Sequence, residues 1–406
     1  MGKYDFTSIV DRQNTNAENT DGFREYIFHA GKDAVFPWKN NEFLRMWVAD
    51  MEFAVAPEIQ QAMKDRIDRQ IYGYTGLFDG AYVKAHRKWC GERYGWSYEE
   101  EELVIAPGVV PALCQLMEDL AGKGKKAVTL TPCYGMFRHA CRYGHTELLF
   151  CDLQRNEEHR YDVDWEDLRE KLEDPDVTVL ILCNPHNPTG RIWSEDELRT
   201  MGDLARENGV WILSDEIHCD LLRKGKKHIP MAKVMPDYDK VVTCMSASKT
   251  FNLAGLQMSN IIIRNKEERL RFCKRFVVAN AINPISLAAH QAAYEQGGEW
   301  LSELHEALDE NFRYLEDFLK EQLPEAVYYP AEATYLAWVD LSAYFEEGED
   351  LPLYFANEAG VLLEGGDSLF AHNAEGCVRL NLAMPRSLVE EGLSRIGKAI
   401  HRNTGS

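Results

Sequence analysis

The chain has 406 residues, of which 45% are apolar and 27% are charged, a composition typical of a soluble globular protein rather than a disordered or fibrous one. Its 66 acidic and 45 basic residues leave a formal charge of -21, which repels nucleic-acid phosphates and anionic lipids, so neither is expected as a partner. The sequence has no run of 18 apolar residues that could span a membrane, and its first residues lack the apolar core of a signal peptide. The ten cysteines include no Cys-x-x-Cys pair, and they indicate free thiols in a reducing compartment or, alternatively, disulfides. We therefore predict a cytoplasmic protein without a metal site.

The first 50 residues contain no clear long helical pattern, and we expect them to form an arm that joins a second domain. From residue 51 to 285, short β-branched runs alternate with amphipathic helical patterns, which is typical of a parallel sheet covered by helices on both faces. The predicted strands are 127–131, 147–153, 177–183, 210–216, 241–246 and 258–264. This region is predicted to be one large α/β domain.

One helix within this domain has clear boundary signals. Ser194 and Glu197 form a capping box at its start, and Gly209 marks its end. From about residue 286 a long helical stretch rich in Glu and Leu precedes strands near 334–341 and 377–382 and a last helix from residue 387. This mixed order predicts a second, smaller α+β domain over residues 286–406.

The segment MSASKTFNLAGLQ places Lys249 just after a predicted strand, with Ser246 and Ser248 before it. Hydroxyls at this spacing can bond a phosphate while the lysine amine reaches an aldehyde on the same ligand. The alternative is a polar loop with a solvated lysine. In ILSDEIHCD, Asp215 ends an apolar strand, where a carboxylate can pair with a protonated pyridine nitrogen or simply cap a helix. His218 is near the same ring or has a structural role.

Two further turns follow apolar strands. LCNPHNPTG places the amides of Asn184 and Asn187 on a proline-rich turn, and amides suit an anionic ligand oxygen and a substrate carboxylate; the alternative is a plain connection. IAPGVVPALCQ joins a glycine turn to a helix N-terminus, which is an anion site.

Together, these four segments resemble the fold-type I pyridoxal 5'-phosphate (PLP) enzymes of the class I/II aminotransferase group, over nearly the whole chain. The phrases MWVADMEF, YGYTG, APGVVPAL, ILCNPHNPTGR, SDEIHCDL, SKTFNLAGLQ and VRLNLAMPR resemble more closely its MalY/PatB branch, the cystathionine β-lyase type carbon–sulfur lyases. The resemblance implies a large α/β domain with a mostly parallel sheet and a smaller α+β domain.

The resemblance also implies roles for matching positions. Lys249 matches the Schiff-base lysine and Asp215 the catalytic partner of the pyridine nitrogen. Tyr134 matches the aromatic residue that stacks on the ring. Asn187 matches the amide near the phenolic oxygen and the substrate, with Asn184 beside it. His218 is expected to contact the cofactor.

Arg379 matches the arginine that holds the substrate's α-carboxylate, whereas without the resemblance it would read as a surface charge. The phosphate is expected to bind the backbone N–H groups of Val109 and Val110 and the hydroxyls of Ser246, Ser248 and Tyr74. In this family the tyrosine matching Tyr74 reaches the neighbouring subunit's site, so the resemblance implies a homodimer in which Tyr74 takes part in catalysis and substrate binding. The alternative for Tyr74 is a buried turn aromatic.

Three positions complete the comparison with the family. Trp47 and Asp50 belong to a phrase near the substrate entrance and receive no firm role. Gln257 stands where many aminotransferases of the group have a phosphate-binding arginine, eight residues after the lysine. This departure favours the lyase branch.

The resulting hypothesis is a PLP-dependent β-lyase that acts by α,β-elimination on cystathionine or cysteine-type thioethers. Its products would be a thiol such as homocysteine, pyruvate and ammonia. An aminotransferase, or a lyase with an added transcription-regulatory binding role, is the alternative.

Overall fold

The computed structural model describes residues 2–275 and 282–405, and a seven-stranded sheet lies at the centre of the larger part. In chain order its strands are β1 (Leu103–Ala106), β2 (Lys126–Thr131), β3 (Glu147–Asp152), β4 (Val177–Cys183), β5 (Trp211–Asp215), β6 (Val241–Met245) and β7 (Ser259–Ile263). Their spatial order is β1-β7-β6-β5-β4-β2-β3, and β7 runs antiparallel to both of its neighbours while the other pairs are parallel. The predicted α/β fold with a mostly parallel sheet is confirmed.

The strands are apolar on both faces because helices cover both. Val179 and Ile181 of β4 pack into one buried cluster, and Leu180 and Leu182 of the same strand into the other. The longer helices are α1 (Pro57–Asp68), α2 (Ala81–Tyr94), α3 (Val109–Leu120), α4 (Met136–Tyr143), α5 (Trp165–Glu173), α6 (Glu195–Glu207), α7 (Lys266–Arg275), α8 (Pro284–Gln296), α9 (Gly298–Gln322), α10 (Leu351–Glu358) and α11 (Arg386–Thr404).

Helix α6 has the predicted capping box. The Ser194 hydroxyl accepts the Glu197 backbone N–H at 3.2 Å, and the Glu197 carboxylate accepts the Ser194 backbone N–H at 2.8 Å. Glu197 also pairs with the buried guanidinium of Arg191, 2.7 Å away. The cap therefore joins the start of the helix to the loop that follows β4.

A second, four-stranded sheet lies near the C-terminus. Its strands are β8 (Val327–Tyr328), β9 (Leu336–Asp340), β10 (Glu364–Gly365) and β11 (Cys377–Asn381), in the antiparallel order β8-β9-β11-β10. The two strands predicted there are β9 and β11. The predicted last helix is α11, which begins one residue earlier than expected.

The N-terminal segment has no helix longer than five residues within residues 2–50. Leu44–Arg45 pairs in parallel with Val361–Leu362, and Met46 belongs to the buried cluster of the second sheet. Helix α8, by contrast, contacts α1 and α2 on the large sheet. The boundaries of the predicted domains stay predictions.

Within the described residues, no helix is both long and apolar enough to cross a membrane. All ten cysteines are free thiols, and nine of them are buried.

Candidate active site

A cavity of about 910 Å³, including its open mouth, lies where the carboxyl ends of β4 and β5 meet the first turn of α3 and strands β10 and β11. Nine of the residues predicted from the sequence line it: Val109, Val110, Tyr134, Asn187, Asp215, His218, Ser248, Lys249 and Arg379. Gln257, the position that departs from many aminotransferases, lines it as well. The tertiary structure thus brings together segments that are up to 270 residues apart, from Val109 to Arg379.

Lys249 lies on a single helical turn, Ala247–Thr250, directly after β6. Ser246 caps this turn by accepting the Ser248 backbone N–H at 3.1 Å, and the Thr250 hydroxyl donates to buried Asp220 at 3.1 Å. The Lys249 Nζ donates to the carbonyl oxygen of Ala49 at 2.7 Å. Burial lowers the pKa of the Lys249 amine, which increases its neutral, proton-accepting fraction.

Asp215 is the last residue of β5 and is 4% exposed. One carboxylate oxygen accepts the Ile217 backbone N–H at 3.2 Å. Burial is the main cause that raises the pKa of Asp215 to about 7. The bond from the Ile217 N–H and the charge of Lys249 oppose this rise, and the charge of Glu216 adds to it. A buried acid of this kind gains most from a cationic partner, and a protonated pyridine nitrogen is one.

Two rings lie beside these groups. His218 is buried, and its ring meets Tyr335 edge-on with centroids 6.3 Å apart. Burial lowers the pKa of His218 to about 3, so the ring is neutral at pH 7, and its Nδ1 has no protein partner. The half-buried ring of Tyr134 packs edge-on against Phe137, with centroids 6.0 Å apart.

The first turn of α3 begins at Val109 after Gly108 and Pro107, all three of which line the cavity. The leading N–H groups of a helix have no partner within it, and the helix dipole places partial positive charge there. A Cβ on Gly108 would come within 3.1 Å of the Pro111 side chain, so a larger residue would crowd this turn. Backbone N–H groups thus face the cavity where an anion is expected.

Arg379 lies on β11 and is 2% exposed. Its Nη1 donates to Asn187 Oδ1 at 3.1 Å, and its Nη2 donates to the Trp47 carbonyl at 3.1 Å and to Glu364 at 2.5 Å. The Asn187 oxygen is used by this bond, which leaves its amide nitrogen for a ligand. Trp47 itself is fully buried, and its indole donates to the Asn19 carbonyl at 3.0 Å.

Five of the sequence-selected residues lie outside the cavity lining, namely Trp47, whose contacts are given above, and Asn184, Ser246, Asp50 and Tyr74. The Asn184 amide donates to the Ile229 carbonyl at 2.9 Å, and the Ser246 hydroxyl donates to the Met258 carbonyl at 2.8 Å, so both side chains hold the surrounding loops. Asp50 forms an ion pair with Arg12 at 2.7 Å. The Tyr74 ring is 98% exposed, so the alternative of a buried turn aromatic is wrong. The cofactor roles of Asn184, Ser246 and Tyr74 stay predictions.

Among the residues of the cavity that sequence reasoning missed are Glu364 and Tyr26. Glu364 follows the apolar run VLL, and a carboxylate directly after a buried strand was an available signal. Tyr26 lies in the N-terminal arm, where its ring packs 5.3 Å from that of Trp47. No periodic pattern marked Tyr26, because the helical turn that holds it has four residues.

The model of the aminotransferase class I and II family matches residues 41–396, so the chain belongs to this family. Among curated proteins it is similar to the cystathionine β-lyase PatB of Bacillus subtilis, with 39% identity over 88% of this chain and 92% of that protein. Protein MalY of Escherichia coli is 28% identical over 98% of this chain and 99% of its own length. A PLP-bound C–S lyase from Staphylococcus hominis has a TM-score of 0.92 and 43% identity, covering 98% of both chains.

The residues of the cavity fit PLP. Lys249 offers an amine to its aldehyde, Asp215 a buried carboxylate to its pyridine nitrogen, and the first turn of α3 N–H donors to its phosphate. The unpartnered polar atoms at His218 Nδ1 and Arg379 Nε also fit a site that holds a polar ligand.

Proposed function

We propose that the protein is a PLP-dependent carbon–sulfur β-lyase that converts cystathionine or related cysteine thioethers into a thiol, pyruvate and ammonia. The observation that carries this proposal is the convergence of Lys249, Asp215 and Arg379 on one cavity. Its support is the similarity, over nearly the full chain, to a cystathionine β-lyase and to a C–S lyase. The cofactor, when bound, supplies an electron sink for the carbanion at the substrate's α-carbon.

Lys249 is the proton carrier in this proposal. Its amine has a lowered pKa because the cavity is shielded from water, so it accepts the α-proton of the substrate more readily than a surface lysine does. The bond from Nζ to the Ala49 carbonyl orients the amine. Asp215 would hold the pyridine nitrogen of the bound cofactor, where its buried carboxylate would stabilise positive charge.

Arg379 and Asn187 orient the substrate. A guanidinium recognises a carboxylate by paired N–H bonds, and the 3.1 Å bond between Arg379 and Asn187 holds both side chains in place. Expulsion of a thiolate requires little acid assistance, because a thiol has an ordinary pKa of roughly 8.5. The neutral His218 does not need to protonate the leaving sulfur.

The phosphate is proposed to bind the N–H groups of Val109 and Val110 and the Ser248 hydroxyl, with Ser246 behind them. Tyr74 of the partner subunit would complete this set in a homodimer. The support is an exposed apolar group on the loop between α1 and α2, where Tyr74 and Phe78 are 98% and 93% exposed. Large exposed aromatic groups of this kind mark interaction surfaces.

The test uses the purified holoenzyme with cystathionine, followed by release of pyruvate and of free thiol. Lys249→Ala is the control and is expected to release neither. A parallel reaction with an amino acid and 2-oxoglutarate measures glutamate. Glutamate formation without release of pyruvate or thiol would contradict the lyase proposal and indicate an aminotransferase. If borohydride reduction of the holoenzyme fails to label the peptide around Lys249, the proposal that PLP is bound to this lysine is contradicted.

A further inference from the structure

Glu364 and Arg379 form a buried ion pair inside the cavity. They are direct cross-strand partners on the antiparallel strands β10 and β11, so the register of the sheet sets their contact. The Arg379 Nη2 and the Glu364 Oε2 are 2.5 Å apart, and the two side chains are 2% and 4% exposed. The Glu364 carboxylate therefore uses an N–H group of the same arginine that is proposed to bind the substrate's carboxylate.

The other bonds of Arg379 limit what it can offer a second carboxylate. Both N–H groups of Nη2 are used, one by Glu364 and one by the Trp47 carbonyl, and Nη1 donates to Asn187. A guanidinium binds a carboxylate bidentately either at its end, through Nη1 and Nη2, or at its side, through Nε and Nη2. Because both arrangements require Nη2, a substrate carboxylate can bind bidentately only after one of the present partners leaves.

We propose that Glu364 is a built-in competitor for the substrate's α-carboxylate, which holds the recognition face of Arg379 and is displaced when an amino acid binds. This inference rests on the proposed function. An unpaired buried guanidinium is costly, so Glu364 compensates its charge until a ligand carboxylate takes over. The Trp47 carbonyl cannot take part in this exchange, since it belongs to the backbone of the packed segment that includes the buried Trp47 ring.

The structure offers a place for the displaced carboxylate. Tyr26 and Tyr134 line the same cavity as Glu364. Burial raises the pKa of both phenols, that of Tyr134 to about 12, and the negative charge of Glu364 contributes to both shifts. Both phenols are therefore protonated hydrogen-bond donors at neutral pH. A rotation of the Glu364 side chain towards these hydroxyls would exchange one charge-assisted bond for others without breaking a covalent bond.

The test compares two ligands that differ at the carboxylate, L-alanine and L-alaninamide, bound to the holoenzyme and followed by the absorbance of the cofactor. Glu364→Gln is expected to lower the dissociation constant for L-alanine by about tenfold, the order of one charge-assisted hydrogen bond, and to change that for the amide by less than about twofold. Glu364→Met, which cannot bond Arg379 at all, should likewise lower the dissociation constant for L-alanine and leave that for L-alaninamide changed by less than about twofold. Glu346→Gln, at an exposed glutamate outside the cavity lining, is the matched control.

Weaker or unchanged binding of L-alanine in a folded Glu364 variant would overturn the inference, because Glu364 would then position Arg379 rather than compete for it. Equal tightening of both ligands would overturn it as well. Thermal unfolding shows whether Glu364→Gln and Glu364→Met are folded, and only the binding data of a folded variant are used to test the inference. Alanine carries no sulfur, so this binding result does not depend on the lyase reaction. If the Glu364 variants bind L-alanine more tightly but the native enzyme releases no pyruvate from cystathionine, this inference is supported and the proposed function is contradicted.

Discussion

Burial, rather than any single neighbour, shifts the titration of the central groups of the cavity. It raises the pKa of Asp215 and of Glu364, and it lowers that of Lys249. Each shift disfavours the charged form, so the protein without a ligand keeps these groups at a cost. The cofactor and substrate are the partners that relieve this cost.

Asp215 makes the stability of the cofactor-free protein depend on pH. Its pKa is about 7 in the folded chain and 3.8 ordinarily, so the folded state binds more protons between these values and loses stability as pH rises through them. We expect Asp215→Asn to stabilise the cofactor-free protein at pH 8 by up to about 4 kcal/mol, with the gain vanishing near pH 4.

Denaturant unfolding of the two cofactor-free proteins at both pH values measures this difference. Asp203→Asn, on the exposed face of α6, is the control and should show no such pH-dependent gain. An equal effect of Asp215→Asn at pH 4 and pH 8 would contradict the assigned cause.

Arg379→Lys tests the bidentate recognition of the substrate. A lysine keeps the positive charge but cannot present two parallel N–H groups, so the KM for cystathionine is expected to rise by about 10- to 100-fold. Steady-state kinetics of pyruvate release measures the change, with Arg386→Lys, at a partly exposed arginine that starts α11 outside the cavity lining, as the control. An unchanged KM would show that the substrate carboxylate binds elsewhere.

At the scale of elements, the ends of strands and helices make the site. The sequence pattern predicts β2 to β7 to within two residues at either end, because each strand is a run of apolar and β-branched residues that is long enough to be recognised in the sequence. It misses β1, β8 and β10, which have four, two and two residues. Strands this short carry no alternation, and only their hydrogen-bonded neighbours define them.

The capping box of α6 should contribute measurably to stability. Ser194→Ala removes the acceptor of the Glu197 backbone N–H, and we expect it to lower the free energy of unfolding by about 1 kcal/mol. Thr200→Ala, at an exposed position within the same helix, is the matched control and should change the free energy by less than about 0.5 kcal/mol. Urea denaturation of the three proteins measures both effects, and equal losses would contradict the role of the cap.

At the scale of the whole molecule, the resemblance to the family at Tyr74 predicts sites shared between two subunits. Lys249→Ala and Tyr74→Ala would each impair activity alone. A mixed dimer of the two contains one site with both native residues, so random mixing should restore about a quarter of the native activity if Tyr74 serves the partner's site. Pyruvate release after co-refolding or subunit exchange measures the recovery.

The control pairs Lys249→Ala with Asp215→Asn, since both residues line the same cavity of one chain. Their mixed dimer has a damaged site in each subunit and should not recover. Absence of recovery with Tyr74→Ala as well would place Tyr74 outside the neighbouring site.

The amino-acid sequence by itself determined the class of fold, the long strands, the cap of α6 and the candidates Lys249, Asp215 and Asn187, whereas Arg379 became a candidate only through the resemblance to the family. These features can be recognised in the sequence because each depends on neighbouring residues: a run of apolar residues, a hydroxyl before a helix, or a polar residue at or after the end of a strand. Only the tertiary structure decided that Glu364 faces Arg379, since this contact depends on the register of two antiparallel strands separated by a loop.

The tertiary structure also decided that Tyr26 lines the cavity and that Asn184 and Ser246 bond backbone carbonyls instead of lining it. A side chain at the end of a strand can point into a cavity or towards a neighbouring loop, and the packing of that loop makes the difference. Such packing involves residues distant in the chain, and no local pattern encodes it.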